Sequence, residues 1–156
     1  MRTPGKTESD VMCVNQNGVI ETEGVYALYD CGIRPALWLM KEEQTDIFGA
    51  EKLTYVALDE AEIGNAVCFG EYEQNADSPQ KEPIEWIVLS KEDNKLLLMS
   101  RYIIEKKRFG TSQHWETSEI RQWLNDDFYA NSFTDAEKAK MQRMITSNKT
   151  DDIVFF

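Results

Sequence analysis

Apolar and polar positions alternate most regularly between residues 84 and 100. Ile84, Trp86 and Val88 share one parity there, and Ile87 and Leu89 share the other. Alternation with period two, bounded by turn residues, predicts strands. The polar Lys91-Glu92-Asp93-Asn94 turn leads into Leu96-Leu97-Leu98-Met99, so a β-hairpin is expected, covered on both faces. Downstream the period lengthens. Ile120, Trp123, Leu124 and Phe128 stand at i, i+3, i+4 and i+8, with Glu119, Gln122 and Asp126 opposite, the stripe of an amphipathic helix capped by Thr117 or Ser118. Thr134-Asp135-Ala136-Glu137 has capping-box spacing and opens a second helix, whose apolar stripe would be Met141, Met144 and Ile145. Asn148 to Asp152 reads as a loop, and Ile153-Val154-Phe155-Phe156 as a terminal strand too apolar to be left in water.

The first forty residues read as β structure broken by turns. Arg2-Thr3-Pro4-Gly5 is a polar corner. Val11–Val14 and Val19–Thr22 flank Asn15-Gln16-Asn17-Gly18, a favoured hairpin turn because Asn and Gly tolerate positive φ. Val25–Tyr29 is a further extended run, and Ile33–Leu39 another. Pro35 lacks a backbone donor, which predicts an edge or irregular position for the last of these. Charge and a glycine break the pattern from Lys41, and residues 41–62 are read as a connector holding one candidate strand, Leu53–Leu58. Residues 63–156 follow, with a strand at Ala66–Gly70, a polar loop from Glu73 to Pro83, and a basic, aromatic run from Arg101 to Thr111 that reads as a strand end entering a loop, its Lys106-Lys107-Arg108 a solvated patch. The two parts are expected to form one globular α+β domain.

Composition bounds this picture. A chain of 156 residues, 42% of them hydrophobic, suits one domain and buries about 70% of its unfolded surface. The formal charge of −11 repels phosphate backbones and anionic bilayers, so direct nucleic-acid binding and membrane insertion are not expected. Cys13, Cys31 and Cys68 are widely spaced and contain no CxxC, which argues against a zinc knuckle and a disulfide framework. With no signal-peptide pattern and no run of membrane-spanning length, the chain reads as cytoplasmic.

Familiar reaction centres are missing from the sequence. The one histidine, His114, has no second candidate ligand or nucleophile beside it, and GxSxG, HExxH and phosphate-loop spacings are absent. Asn125-Asp126-Asp127 has oxygen ligands suited to calcium, but its helical phase places it on a solvated face, so no metal or cofactor is expected. Among the aromatic residues, Trp86 and Trp123 read as core and Trp115, in a polar loop, as an exposed platform. The candidate recognition surface is therefore the loop carrying Tyr102, Arg108, Phe109, His114 and Trp115.

Several segments resemble one bacterial family, catalogued as domain of unknown function 6273. They are Val67-Cys68-Phe69-Gly70-Glu71-Tyr72-Glu73-Gln74, Pro83–Leu89, Trp115-Glu116-Thr117-Ser118-Glu119-Ile120-Arg121-Gln122-Trp123-Leu124-Asn125, Phe133–Glu137 and Asp151–Phe155. The pieces that close such domains stand here at the front: Met1–Gly5 is similar to an LRSPG corner, and Gly32–Leu39 to a VRPALW strand. The resemblance thus implies a family C-terminal half ahead of a family N-terminal half, either a rearranged domain or a fragment across a tandem junction. More distantly it implies a C-type-lectin-like fold, a twisted antiparallel sheet with two flanking helices. The copper-binding cysteine pair of the related formylglycine-generating enzymes has no counterpart in this chain.

The expected function is a non-enzymatic binding module for a protein or carbohydrate ligand, part of a larger bacterial or phage-related protein. The two halves would pack within one chain or by exchange in a domain-swapped homo-oligomer. Two alternatives remain: an acidic protein that inhibits a cationic nucleic-acid-binding partner, and an enzyme using His114.

Overall fold

The computed structural model describes residues 7–155 except 8, 16–18, 41–54, 75–78, 112 and 146–150. The corner at Arg2–Gly5, the turn at Gln16–Gly18 and part of the Leu53–Leu58 strand lie outside the described residues. Its body is a curled antiparallel half-barrel in the order β12 (Val154–Phe155), β4 (Ala36–Met40), β7 (Lys95–Ser100), β6 (Glu82–Glu92), β5 (Ala66–Tyr72). The expected hairpin is β6 and β7, joined at Asp93-Asn94, where Asp93 takes φ +38°. Its inner parity is buried completely, with Ile84 and Trp86 at 0% exposure. The outer parity is not covered as expected: Ile87 is partly buried and Leu89 is exposed, so the sheet has one dry face.

The early segment supplies an interior strand. β4 runs antiparallel to β7 from Ala36↔Met99 to Met40↔Lys95, and on its other side meets β12 at Leu37↔Val154 and β9 (Met141–Gln142) at Leu39↔Met141. Of the edge or irregular position predicted from Pro35, the irregular one is found, since the extended run is interrupted there and β4 itself is interior. β3 (Asp30–Ile33) ends two residues before Pro35, whose carbonyl accepts from Ser100 N at 2.8 Å, and β4 starts after it. β3 pairs instead with β8 (Glu105–Arg108) as a separate ribbon, and β1 (Asp10–Val14) pairs with β2 (Ile20–Tyr26) as a hairpin. Leu37, Leu39, Ile33, Ala27 and Val11 all join the same apolar cluster as Trp86, Leu98 and Phe128. Residues 55–58 form no strand; Val56 N donates to Ala66 O at 3.3 Å.

A helix packs its apolar side chains into the same buried cluster as the inner face of the sheet. α1 (Glu119–Trp123) passes through a π-helical turn (Leu124–Phe128) into α2 (Tyr129–Ser132), and Ile120, Leu124 and Phe128 are buried as their spacing predicts. The second helix is shorter than expected. α3 (Asp135–Lys138) keeps the capping box at Thr134 and Glu137, but Met141 enters β9 and Met144–Ile145 form β10, paired with β11 (Asp151–Asp152). Backbone pairing with β4 replaces the helical bonds that Met141 would have made. Glu137 adds a long-range tie: its Oε1 accepts from Gly70 N at 3.0 Å, where φ is +73° and a Cβ would sit 2.4 Å from the Phe133 ring. Only glycine fits at that strand bend.

Candidate functional site

β8 and α1 run past each other and leave an open groove of about 600 Å³. Along β8 Lys106 and Arg108 are exposed and Lys107 is half-buried, and all three line one wall. The polar face of the helix forms the other, with Glu119, Gln122, Asp126 and Asp127, and β3 adds Asp30 opposite Arg108. Arg108 Nε donates to Glu119 Oε2 at 2.6 Å, and Lys107 Nζ lies 4.9 Å from the centre of the Trp123 ring. Tyr72 packs beside Trp123 with ring centres 6.2 Å apart and donates its hydroxyl to Glu105 Oε2 at 3.3 Å. Burial, with the Glu105 carboxylate next, pushes the Tyr72 hydroxyl up to about 12. The walls thus offer fixed ammonium and guanidinium donors and carboxylate acceptors over one aromatic edge.

The structure does not gather the five sequence-predicted residues into one surface. Arg108 lines the groove, whereas Tyr102 and His114 are exposed outside its lining, Tyr102 with the Arg101 guanidinium 5.3 Å from its ring centre. Phe109 and Trp115 are corrected: both are buried, 5% and 7% exposed, with ring centres 6.3 Å apart. Trp115 is no platform because its Nε1 donates to Asp152 Oδ2 at 2.8 Å inside the protein. Asp152, fully buried, accepts a second bond from Arg121 Nε at 2.7 Å. That carboxylate therefore satisfies two donors on the helix and on the turn leading into it.

The same stretch fixes the helix by further bonds. Ser118 Oγ accepts from Arg121 N at 3.2 Å as the N-cap and donates to Trp115 O at 2.9 Å. Asn125 Oδ1 accepts from Ile153 N and Val154 N, while its Nδ2 donates to Val154 O and Arg121 O. Asn125 so takes the place of a neighbouring strand along β12. The residues that follow these anchors, Glu119, Gln122 and Asp126, face the groove. Sequence reasoning assigned Lys106–Arg108 to a solvated patch and Glu119, Gln122 and Asp126 to a solvated helix face; both readings were right about polarity and silent about their meeting. A smaller groove of about 340 Å³ lies across the helix, where Gln122 and Asp126 line it too, with Arg121, Thr117 and Arg143.

Reactive groups are sparse at this surface. Burial pushes the thiols of Cys31 and Cys68 up, which disfavours the nucleophilic thiolate at neutral pH. Among the described residues no three His, Cys, Asp or Glu side chains converge to hold a metal ion, and no helix is long and apolar enough to cross a membrane.

The fold and groove define a mixed α+β domain, mostly β, that displays a charged cleft beside one rigid helix. Residues 93–154, from the β6–β7 turn to β12, match the model of a family described as Domain of unknown function (DUF6273). No curated protein and no solved structure matches the chain.

Proposed function

We propose that the chain is a non-enzymatic binding module whose ligand, a protein or a carbohydrate, enters the groove between β8 and α1. The observation that carries this reading is the division of labour along one helix. Trp115, Ser118, Arg121 and Asn125 are tied into the body, and the adjacent Glu119, Gln122 and Asp126 face an open cleft whose other wall is cationic. Polar groups on a rigid element are suited to oriented recognition. Arg108 is the central contact, and Tyr102 and His114 are outlying ones. Arrays of glycans and peptides probed with the labelled chain test this. Bound spots should fade at least tenfold with Arg108→Ala or Lys107→Ala at unchanged melting temperature; spots that survive both changes place the ligand elsewhere.

The scaffold reading extends to the early segment. We take residues 1–40 as the closing half of the family domain, 41–62 as connector and 63–156 as the opening half, on a C-type-lectin-like plan. The order of the motifs supports this, as does the fit of β4 between β7 and β12.

A second reading has its own support. From Thr7 to Ile33 the sequence holds Glu8, Asp10, Glu21, Glu23 and Asp30 and no Lys or Arg, and the β1–β2 hairpin there exposes Val14, Ile20 and Tyr26. Such a surface suits a cationic partner, which the protein would block as an acidic inhibitor. Capture of basic nucleic-acid-binding proteins that weakens steeply with salt, and is lost with Ile20→Ser, would favour it over the groove.

A further inference from the structure

We propose that the smaller groove, of about 340 Å³, is a second binding site, for a free α-amino acid held by both its carboxylate and its ammonium. Arg121 carries the argument. Its Nε donates to Asp152 Oδ1 at 2.7 Å, and the burial of Asp152 fixes the plane of the guanidinium. Trp115 Nε1 donates to the other oxygen of that carboxylate at 2.8 Å, so Asp152 is held in place and cannot swing toward the outer nitrogens of Arg121. Of those nitrogens, Nη1 makes one stretched bond to Glu116 O at 3.4 Å, and Nη2 has no partner among the described residues. Nη2 is not enclosed in the protein, so this free edge opens to the groove that Arg121 lines. The paired outer nitrogens of a guanidinium are a fork that takes a carboxylate through two parallel hydrogen bonds.

The rest of the lining selects among carboxylates. Arg143 adds a second guanidinium, whereas Glu116 and Asp126 place two carboxylates in the same groove. These charges cancel. A dianion such as phosphate would meet as much repulsion as attraction, and a plain monocarboxylate would leave the acidic pair without a cation. A zwitterion satisfies both sets, with its carboxylate on the Arg121 edge and its ammonium toward Glu116 and Asp126. Among the described residues Ile153 is the one apolar member of this lining, which favours amino acids with small or polar side chains. The volume lies at the small end of ligand pockets, about 300–1,000 Å³, and suits a single amino acid better than a peptide. Arg121, Arg143 and Glu116 line this groove and not the wider one between β8 and α1, so each site stands or falls without the other.

Titration of the nitrogen-15-labelled full chain with each of the common L-amino acids, up to roughly 10 mM, tests this by NMR. At least one with a small or polar side chain should shift the Arg121 Nε and Trp115 Nε1 resonances in a saturable way, since both groups are bonded to Asp152. The N-acetyl derivative of that amino acid lacks the ammonium, and its amide lacks the carboxylate. Each should bind roughly tenfold more weakly or worse. Arg143→Gln, at an exposed position, should weaken the amino acid to a similar degree, and Glu116→Gln should narrow the gap between the amino acid and its N-acetyl derivative. The proposal is overturned if none of the amino acids moves the two resonances, or if the N-acetyl derivative binds the wild-type chain as well as its parent. Binding that neither substitution changes overturns it too, because the ligand would then sit elsewhere.

Discussion

Trp115, Tyr72 and Gly70 show how single positions set the behaviour of this surface. Trp115 is a filled, hydrogen-bonded part of the interior, so Trp115→Ala should lower stability by about 3–5 kcal/mol in urea unfolding. Loss of binding in that variant would report unfolding and not a lost platform. Tyr72 makes the protein sensitive to alkali. Its hydroxyl ionises near 10 in an unfolded chain and only at about 12 in the folded one. As pH rises through that window the unfolded state loses the proton first, so the stability that Tyr72 provides is intact below 10 and gone above 12. Tyr72→Phe should leave stability near neutrality almost unchanged and hold the fold to higher pH, followed by circular dichroism. Gly70 admits no side chain, since positive φ and the Phe133 ring both oppose one.

At the scale of elements, the helix from Glu119 to Ser132 is built to hold β12. Its π-helical turn carries Asn125, whose amide spans the backbone of Ile153 and Val154 as a strand would. A π-turn widens the helix by one residue per turn and re-aims the side chains on it, which is why such turns recur at sites with a special task. Asn125→Ala should cost about 2–3 kcal/mol through unpaired backbone groups. Hydrogen exchange would locate the damage: the amides of Ile153 and Val154 should exchange faster while those of β6 stay protected. The capping box at Thr134 is more ordinary, and Thr134→Ala should cost about 1 kcal/mol. Glu137 makes the site larger than a cap, because the same carboxylate also holds Gly70 in β5.

For the whole molecule, net charge and topology matter most. With a formal charge of −11, the folded chain repels itself, and its melting temperature should rise as salt is added from low to physiological ionic strength. Topology decides where the chemistry lies. Lys106–Arg108 and the acidic helix face are separated in sequence by residues 109–118, and only the fold turns them toward one another.

What could be read in advance was local. The β6–β7 hairpin, the stripe of Ile120, Leu124 and Phe128 and the Thr134 cap follow from spacing and from bonds that close within a few residues. Arg108 was legible as part of a surface for the same reason, since its neighbours declare their polarity. The errors arose where distant partners decide. Trp115 looked exposed because its loop is polar, and its partner Asp152 stands thirty-seven residues away. Met141 looked helical until β4 offered it a strand. Sequence alone therefore determined the pieces and their caps, because those depend on near neighbours. Tertiary structure alone decided which strand lies beside which and which polar faces share a groove, because remote backbone groups must find each other before they can be satisfied.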